Sequence, residues 1–359
     1  MHGRWSGSLA IFTSAVVALA CVAVIAVRAA STSTPQASPA PATAAATPAP
    51  TQPPPTAEPF SGGVVGAITT GREVRVRSRP DAVSPAVSRI RPGILLPVLT
   101  RRGSFLRVMT PCERTGWVPL GGETLHAQAA RSATALDSGT IVLDPGHGGP
   151  ESGATGPTGL RESAVNLDVA QRVRTDLRGP RVFVTRSGDY LASLAFRAAV
   201  ANSLHADAFV SIHNNAQPDG ASAKPGTETY YQFRSGRSKR LAGLTYEELL
   251  PVLARLKVKW VSDKDAGAKY RTNAAGLDFY GVLRHSLEPA VITESLYISN
   301  APEEALLRQA AVREIIAQAL SRAITRYLTT TDPGSGFVKP LVHNEGSTFV
   351  LPPNCADPS

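Results

Sequence analysis

The sequence predicts an α/β domain, with a mostly parallel twisted sheet flanked by helices, preceded by a small all-β domain. Two observations carry this prediction. Between residues 138 and 329, short apolar runs that fit strands alternate with segments in which apolar residues recur at helical spacing. Between residues 61 and 128, short β-rich runs alternate with turn signals. The 359 residues allow two to three domains of roughly 100–200 residues each.

The first 60 residues predict an export segment and a linker. Within residues 1–30, positions 9–27 form an uncharged apolar run of a length that fits a transmembrane anchor. A secretory signal peptide is the competing interpretation, because Ala18-Leu19-Ala20 offers a small-residue cleavage site. Residues 31–60 hold nine prolines and one charge, which predicts a disordered linker. Both interpretations place the remaining chain outside the cytoplasm, on the cell-wall side.

The small domain, residues 61–128, has the pattern of a compact all-β module. Its strand-like runs include Glu73 to Arg77 and Ile94 to Leu99, and turns containing glycine separate them. The order of Val76-Arg77-Ser78 before Pro80, a Pro-Gly turn and Thr115-Gly116-Trp117-Val118 resembles a bacterial SH3-like domain. The resemblance implies a small barrel of a kind that often binds cell-wall peptides in extracellular proteins.

The charge of the small domain points to an anionic partner. Ten arginines and four acidic residues give this domain +6 of the chain's formal net charge of +9. A basic face predicts binding to anionic wall polymers, although a solvated barrel surface would explain the same charge. A domain exported across the membrane does not meet nucleic acid, so we expect no nucleic-acid partner.

Local patterns predict each element of the large domain, residues 138–329. Four short apolar runs predict strands at Thr140–Leu143, Arg181–Val184, Asp207–Ile212 and Ala290–Thr293. A helix is predicted where valines recur at positions 165, 169 and 173, and another around residues 193–204. Pro302 and the acidic residues after it open a long amphipathic helix that is predicted to reach Leu328.

Polar residues follow three of these strands directly. His147, His213 and Glu294 each come just after an apolar run. Because ligands collect outside the carboxyl ends of the strands in open α/β sheets, we expect these side chains on one side of the sheet. Glu162, at the start of a predicted helix, can join them from a loop. Two histidines, one carboxylate and a water form a catalytic zinc site, which leaves the second carboxylate free to act as base.

Most of these residues also have an ordinary structural explanation. A histidine after a strand is commonly a turn residue, and Glu162 suits the positive end of a helix dipole. The glycines around His147 could form a phosphate cradle, but no Lys-Ser/Thr follows as a P-loop requires. Glu294 is harder to explain, because an ionised carboxylate within an apolar run is costly without a partner. Two histidines and a carboxylate also suit non-haem Fe(II) oxygenases.

Four motifs resemble, in order, those of the zinc-dependent N-acetylmuramoyl-L-alanine amidases. The motifs are Val142-Leu143-Asp144-Pro145-Gly146-His147-Gly148-Gly149, Gly159-Leu160-Arg161-Glu162, Ser211-Ile212-His213-Asn214-Asn215 and Thr293-Glu294-Ser295-Leu296-Tyr297-Ile298-Ser299-Asn300. The resemblance covers nearly all of residues 140–328. It implies that His147, Glu162 and His213 bind Zn²⁺ and that Glu294 is the catalytic carboxylate.

The same resemblance implies a reaction and a substrate. The expected substrate is peptidoglycan, and the expected reaction is hydrolysis of the amide between N-acetylmuramic acid and L-alanine of the stem peptide. The competing hypothesis is a non-catalytic or autoinhibited wall-binding protein with an amidase-like domain. In some division-associated relatives an inserted helix blocks the site, and residues 235–273 are longer here than in the simplest members. Glu247 and Glu248 could serve such a plug or lie on an ordinary solvated helix face.

The cysteines and the tail leave one further alternative open. Three cysteines exclude a disulfide-stapled scaffold and any four-thiolate metal site. Residues 330–359 predict an irregular tail without a clear period. Cys112 and Cys355 are the two cysteines expected outside the membrane, where disulfides persist. They could pair and tie the tail to the small domain, or remain free thiols.

Overall fold

The computed structural model describes residues 66–121, 123–127, 139–342 and 350–359. The predicted membrane segment and the predicted linker lie outside these ranges. No helix within the described ranges has the length and apolar character needed to cross a membrane. From residue 66 onward, the described residues belong to one compact unit.

The described part of the small domain is a single antiparallel sheet of seven strands. In chain order these are β1 (Gly66–Thr70), β2 (Val74–Arg77), β3 (Ala86–Ile90), β4 (Leu95–Arg102), β5 (Phe105–Met109), β6 (Thr115–Pro119) and β7 (Glu123–Ala127). Their order across the sheet is β3-β2-β6-β5-β4-β1-β7. Alternate side chains such as Val74 and Val76 are buried while Arg75 between them is exposed, as the period of a strand requires. The SH3-like assignment stays a prediction.

The large domain is built on a six-stranded mixed sheet. Its strands, with those of the connecting segments and the tail, are β8 (Thr140–Pro145), β9 (Arg181–Val184), β10 (Ala208–Asn215), β11 (Gly220–Ser222), β12 (Glu228–Tyr231), β13 (Trp260–Ser262), β14 (Ala268–Lys269), β15 (Arg271–Thr272), β16 (Ala290–Tyr297) and β17 (Leu341–Val342). The main sheet has the order β14-β12-β16-β10-β8-β9. All its neighbouring strands are parallel except β12 and β16, so the predicted mostly parallel sheet is confirmed.

Helices cover both faces of this sheet. They are α1 (Glu162–Asp176), α2 (Leu194–Leu204), α3 (Gly236–Leu253), α4 (Gly281–His285), α5 (Ala301–Leu307) and α6 (Ala310–Thr329). The apolar sides of α1, α3 and α6 share one core with one face of the sheet. On the other face, α2 and α4 share a second core with strands of the small domain. The two predicted domains are therefore joined by a continuous apolar contact.

The prediction of one helix from Pro302 to Leu328 is wrong. The chain leaves the helical path after α5, and two residues separate α5 from α6. The guanidinium of Arg313, in the first turn of α6, donates hydrogen bonds to the carbonyls of Leu307 (2.7 Å) and Arg308 (2.9 Å). Carbonyls at a helix end need such partners, so this side chain stabilises the break.

The structure places Glu247 and Glu248 on the solvated side of α3, next to α6. Glu247 lies 2.9 Å from Arg326, and Glu248 lies 2.8 Å from both Arg326 and Arg322. These ion pairs correspond to the ordinary helix-face interpretation of the two glutamates rather than to a plug.

Cys112 and Cys355 form a disulfide, so the predicted pairing is confirmed. The bond ties the C-terminal tail to the small domain across a sequence separation of 243 residues. Asp357 strengthens this link, because its carboxylate accepts hydrogen bonds from the backbone N–H of Cys112 and from Arg114, both at 2.9 Å. Leu191 of the large domain packs on the same disulfide.

Removing the disulfide is expected to destabilise the chain markedly. Cys112→Ser with Cys355→Ser should lower the free energy of unfolding by about 2–5 kcal/mol, since a cross-link over a long loop restricts the unfolded chain. Thermal unfolding with and without reductant checks this. The reductant should lower Tm of the wild type and leave the double variant unchanged, whereas an equal response of both would contradict the prediction.

Candidate metal centre and active site

Strand register brings three ionisable side chains into one row near the carboxyl ends of the parallel strands. His213 of β10 is the register partner of Glu294 of β16, and Glu294 is in turn the partner of Glu228 of β12. Register partners on neighbouring strands point to the same face of a sheet, and the strands lie about 4.8 Å apart. The sheet therefore places the predicted ligand His213 directly beside the predicted base Glu294.

The three predicted metal ligands come together above this row. Glu162 Oε2 lies 3.3 Å from His147 Nε2, and Glu162 Oε1 lies 2.9 Å from His213 Nδ1. The potential ligand atoms of the three residues all lie within 4.8 Å of one another. Glu162 is almost fully buried, while both histidine rings are partly accessible. One buried carboxylate thus bridges two imidazoles that solvent can reach.

Two glycines make room for these side chains. A methyl group at Gly146 would overlap the imidazole of His213, and its nearest approach to Nδ1 would be 2.6 Å. A methyl group at Gly153 would lie 2.5 Å from Glu162 Oε2 and 2.5 Å from the ring of His147. Both contacts are far shorter than van der Waals distance. The glycine-rich sequence around His147 therefore allows the backbone to approach the site's own side chains.

His147 is itself held in an uncommon backbone conformation. Its φ is 61°, in the left-handed region that residues other than glycine rarely adopt. Its ring contacts two carboxylates, Glu162 through Nε2 and Glu151 through Nδ1, the latter at 3.4 Å. Burial alone would lower the pKa of His147, but these two carboxylates raise it to about 9. A metal ion that binds His147 would have to displace a proton.

Backbone and amide donors fix the orientation of Glu162, the first residue of α1. Its Oε2 accepts from the backbone N–H of Ala154 at 3.0 Å. Its Oε1 accepts from the backbone N–H of Asn214 at 3.2 Å and from the side chain of Asn166 at 3.1 Å. Burial would raise the pKa of Glu162, but the neighbouring histidines His147 and His213 lower it well below its usual value. Glu162 is therefore an ionised carboxylate with a fixed geometry.

Asp144 anchors the loop that carries His147 but does not contact a predicted ligand. It is fully buried and accepts hydrogen bonds from Thr185 (2.5 Å), Ser211 (2.7 Å) and Arg197 (2.6 Å). Burial would raise the pKa of Asp144, but Arg197 and the two hydroxyl groups lower it. The ion pair with Arg197 contributes stability at neutral pH, and that stability is lost as pH falls through the lowered pKa.

Two buried arginines hold the backbone of the same loop. Arg197 donates to the carbonyls of Pro145 (2.6 Å) and His147 (2.7 Å). Arg186 donates to the carbonyls of Pro145 and Gly146, both at 2.9 Å. A short loop that exposes three carbonyls would otherwise be free to move. These contacts fix the backbone next to His147 and so position its ring.

Asp144→Asn is expected to weaken both the fold and the metal site. The substitution leaves Arg197 buried without its counter-charge, which should cost about 3–5 kcal/mol of unfolding free energy. Metal affinity should fall about 10–100-fold, the usual effect of removing a group that orients a ligand indirectly. Urea unfolding and zinc titration measure the two effects.

Asp168→Asn provides the matched control for this prediction. Asp168, like Asp144, forms ion pairs with arginine, in its case with Arg172 and Arg313, but on a partly exposed helix surface. Surface ion pairs contribute about 0–1 kcal/mol, so this variant should remain close to the wild type. If the two variants lost equal stability or equal metal affinity, Asp144 would have no special part in the loop.

Glu294 has a buried carboxylate oxygen, Oε2, that the described part of the chain leaves without a partner. Burial raises the pKa of Glu294 well above its usual value, and the negative charges of Glu162 and Glu228 raise it further. A buried polar atom without a partner is costly, so the fold retains a group here that does not stabilise it.

Sequence reasoning missed Glu151 and the Glu228–Lys269 pair. Lys269 Nζ lies 2.5 Å from Glu228 Oε1, and both side chains are fully buried. Two isolated charged residues 41 positions apart gave no signal of a buried pair. Glu151 follows His147 by four positions, a spacing that brings them together only because the loop turns back at the bridge between Gly148 and Glu151.

Comparison with known proteins assigns the large domain to a family. The family model for N-acetylmuramoyl-L-alanine amidase matches residues 141–326, which is just over half of the chain. The N-acetylmuramoyl-L-alanine amidase LytC of Bacillus subtilis strain 168 is 40% identical over 192 residues, which cover 52% of this chain but 35% of LytC. The "Probable cell wall amidase LytH" of Staphylococcus epidermidis strain ATCC 12228 is 29% identical over 272 residues, 74% of this chain and 85% of LytH.

A solved structure with related sequence is the catalytic domain of the N-acetylmuramoyl-L-alanine amidase CwlV from Bacillus (Paenibacillus) polymyxa var. colistinus. It is 34% identical, covers 54% of this chain and 99% of that domain, and has a TM-score of 0.45. The amidase predicted from four sequence motifs is confirmed by the family match, which spans all four. The chain therefore belongs to the N-acetylmuramoyl-L-alanine amidase family and is a hydrolase of cell-wall peptidoglycan.

Proposed function

We propose that the chain hydrolyses the amide between the lactyl group of N-acetylmuramic acid and L-alanine of the stem peptide, with Zn²⁺ as its metal. His147, Glu162 and His213 would hold the ion, and Glu294 would be the general base. One observation carries this proposal. Three potential ligand atoms lie within 4.8 Å of one another, and the sheet sets a buried carboxylate in register beside one of them.

The donor set fits zinc. Two imidazole nitrogens and one carboxylate oxygen leave a fourth position for water or substrate, as in catalytic zinc sites. When bound, zinc polarises the scissile carbonyl and lowers the pKa of its water to about 7. The same donors suit Fe(II), but membership of an amidase family favours hydrolysis over oxygenation.

Glu294 moves the proton in this mechanism. Its Oε2, which has no partner among the described residues, accepts a proton from the attacking water. The new C–O bond forms at the lactyl carbonyl, and the C–N bond breaks as Glu294 delivers that proton to the departing nitrogen of L-alanine. A raised pKa suits this double role, because the group must both accept and release a proton near neutral pH.

The small domain would hold the enzyme on the wall as an SH3-like module. Many of its arginines lie on exposed positions of the sheet, among them Arg75, Arg89, Arg101, Arg102 and Arg107. Such a surface favours anionic wall polymers, and the attraction should weaken as salt screens it. Residues 9–27 would anchor the chain at the outer face of the membrane, with secretion after signal cleavage as the alternative.

Mass spectrometry of digested peptidoglycan tests the proposal. The purified full chain is incubated with purified peptidoglycan, with added zinc and with a chelator. Free stem peptides that begin with L-alanine, beside glycan strands without them, are expected only when zinc is present. Wall binding without any release of peptides would favour a non-catalytic or autoinhibited protein. Release that persists after complete metal removal would contradict the metal assignment.

A further inference from the structure

Arg271 is a positive group near Glu228 and Lys269, at the end of the sheet beyond Glu294. Arg271 begins β15, two residues after Lys269. Its guanidinium carbon lies 4.6 Å from the ring centre of Tyr230 and 5.9 Å from that of Tyr280. The two aromatic rings therefore hold the planar head of Arg271 by cation–π contact.

This guanidinium is partly buried and lacks the hydrogen-bond partners that the buried arginines of the site have. Arg271 makes no side-chain hydrogen bond and no ion pair within the described residues, and its Nε is buried without an acceptor. Arg186 and Arg197, the buried arginines near the site, each donate four hydrogen bonds. Lys269 is neutralised by Glu228 and Asp265. An arginine with its hydrogen-bonding capacity unused is positioned to bind an anion from outside the chain.

The position of Arg271 relative to the proposed base follows from the strands. The ring of Tyr230 contacts the guanidinium of Arg271, and the Tyr230 hydroxyl donates a hydrogen bond to Glu228 Oε2 at 2.6 Å. Glu228 is the register partner of Glu294, one strand spacing or about 4.8 Å away. Glu228 already accepts hydrogen bonds from Lys269, Tyr230 and Asn215 and makes none with Arg271 among the described residues. The guanidinium of Arg271 therefore remains available on the side of the site away from His213.

We propose that Arg271 forms a subsite that binds a free carboxylate of the stem peptide. This carboxylate belongs to the second residue after the scissile amide. This inference rests on the proposed function, because it assigns the substrate's orientation in the same site. At about 3.5 Å per residue, the second residue reaches roughly 7 Å beyond the cleaved bond. When the second residue is a γ-linked D-glutamate, its α-carboxylate is the first anionic group along the stem. The planar fork of an arginine pairs with such a carboxylate through two hydrogen bonds.

The test compares two soluble muramyl peptides that differ in one group. One carries a free α-carboxylate on the second residue, and the other carries a carboxamide there. For the wild-type chain, kcat/KM should be about 10–100-fold higher for the carboxylate, mainly through KM, as expected for losing charge-assisted hydrogen bonds. In Arg271→Gln the ratio between the two substrates should fall to about one, and Arg271→Lys should restore part of it.

A matched control separates recognition from packing. Arg234 also lies over an aromatic ring, that of Phe233 at 4.7 Å, but it is exposed. Arg234→Gln should keep the wild-type ratio. If Arg271→Gln lost activity equally on both peptides, Arg271 would support Glu294 or the fold instead, and the subsite would be refuted.

A binding measurement keeps this test independent of the proposed reaction. Calorimetric titration of the full chain with L-alanyl-γ-D-glutamate and with its α-amide gives two affinities that do not require turnover. If the wild type prefers the carboxylate and Arg271→Gln does not, the subsite is supported, whether or not either muramyl peptide is cleaved. Absence of cleavage would overturn only the proposed function. Equal affinities for the two peptides in the wild type would overturn the subsite.

Discussion

Replacing Glu294 with glutamine is expected to reduce kcat by about 10²–10⁴-fold, the usual contribution of a general acid–base. Glutamine keeps the shape of the side chain but cannot accept the proton of the attacking water. Zinc content should not change, because the proposed ligand atoms belong to His147, Glu162 and His213 and not to Glu294. Rates on a soluble muramyl peptide, measured with metal content determined in parallel, check both expectations.

The thermal stability of Glu294→Gln should be retained or raised although its activity falls. The unpartnered carboxylate of Glu294 is disfavoured by burial and by the charges of Glu162 and Glu228. A neutral amide removes that repulsion, so the Tm of Glu294→Gln should equal or exceed that of the wild type. A residue retained at a cost to the fold is typical of a functional site.

Glu303 offers a matched comparison, since burial also raises its pKa. Its oxygens accept from the backbone N–H groups of Tyr297 (2.8 Å) and Val261 (3.1 Å). Glu303→Gln disturbs these hydrogen bonds and should cost about 1–3 kcal/mol of stability while kcat is retained. If Glu294→Gln instead kept full activity and lost stability as Glu303→Gln does, Glu294 would be a structural residue and the mechanism would need another base.

Sequence patterns were sufficient to predict features that depend on residues close together in the chain. The strands that carry His147, His213 and Glu294 begin as short apolar runs, which sequence reasoning recognised. His147 follows β8, but His213 and Glu294, expected just after their strands, lie inside β10 and β16, because both strands continue beyond the apolar runs. The rule that parallel strands end together then predicted their convergence. Glu162 was expected to join them from the loop that opens the next helix, and it is the first residue of α1.

Features that depend on residues distant in the chain could not be predicted in this way. The strand Glu228–Tyr231 begins with a charged residue, whose buried charge is neutralised by Lys269 from a later segment. The break between α5 and α6 depends on the direction of the Arg313 side chain. Arg271 shows no local pattern at all, since its place on the sheet arises from its contacts with Tyr230 and Tyr280, which come from other segments of the chain.

Gly146→Ala is expected to abolish metal binding and activity without unfolding the chain. The added methyl group would occupy the space of the His213 imidazole, which follows 67 residues later in the chain. The ring has to rotate away from Glu162, or the loop has to shift against the arginines Arg186 and Arg197 that hold it. A displacement of about 1 Å at a catalytic group can cost about 10²-fold in rate.

Gly220→Ala is the matched control, because it adds the same methyl group at a position where no side chain is displaced. Gly220, like Gly146, does not have a positive φ, but it begins β11, and a methyl group there would meet nothing within 4 Å. Because alanine restricts the unfolded chain, this variant should be as stable as the wild type or slightly more stable. Zinc titration and circular dichroism of both variants separate loss of the site from loss of the fold. If Gly146→Ala bound zinc with wild-type affinity, the present position of His213 would not matter for metal binding. His213 would then not be a ligand.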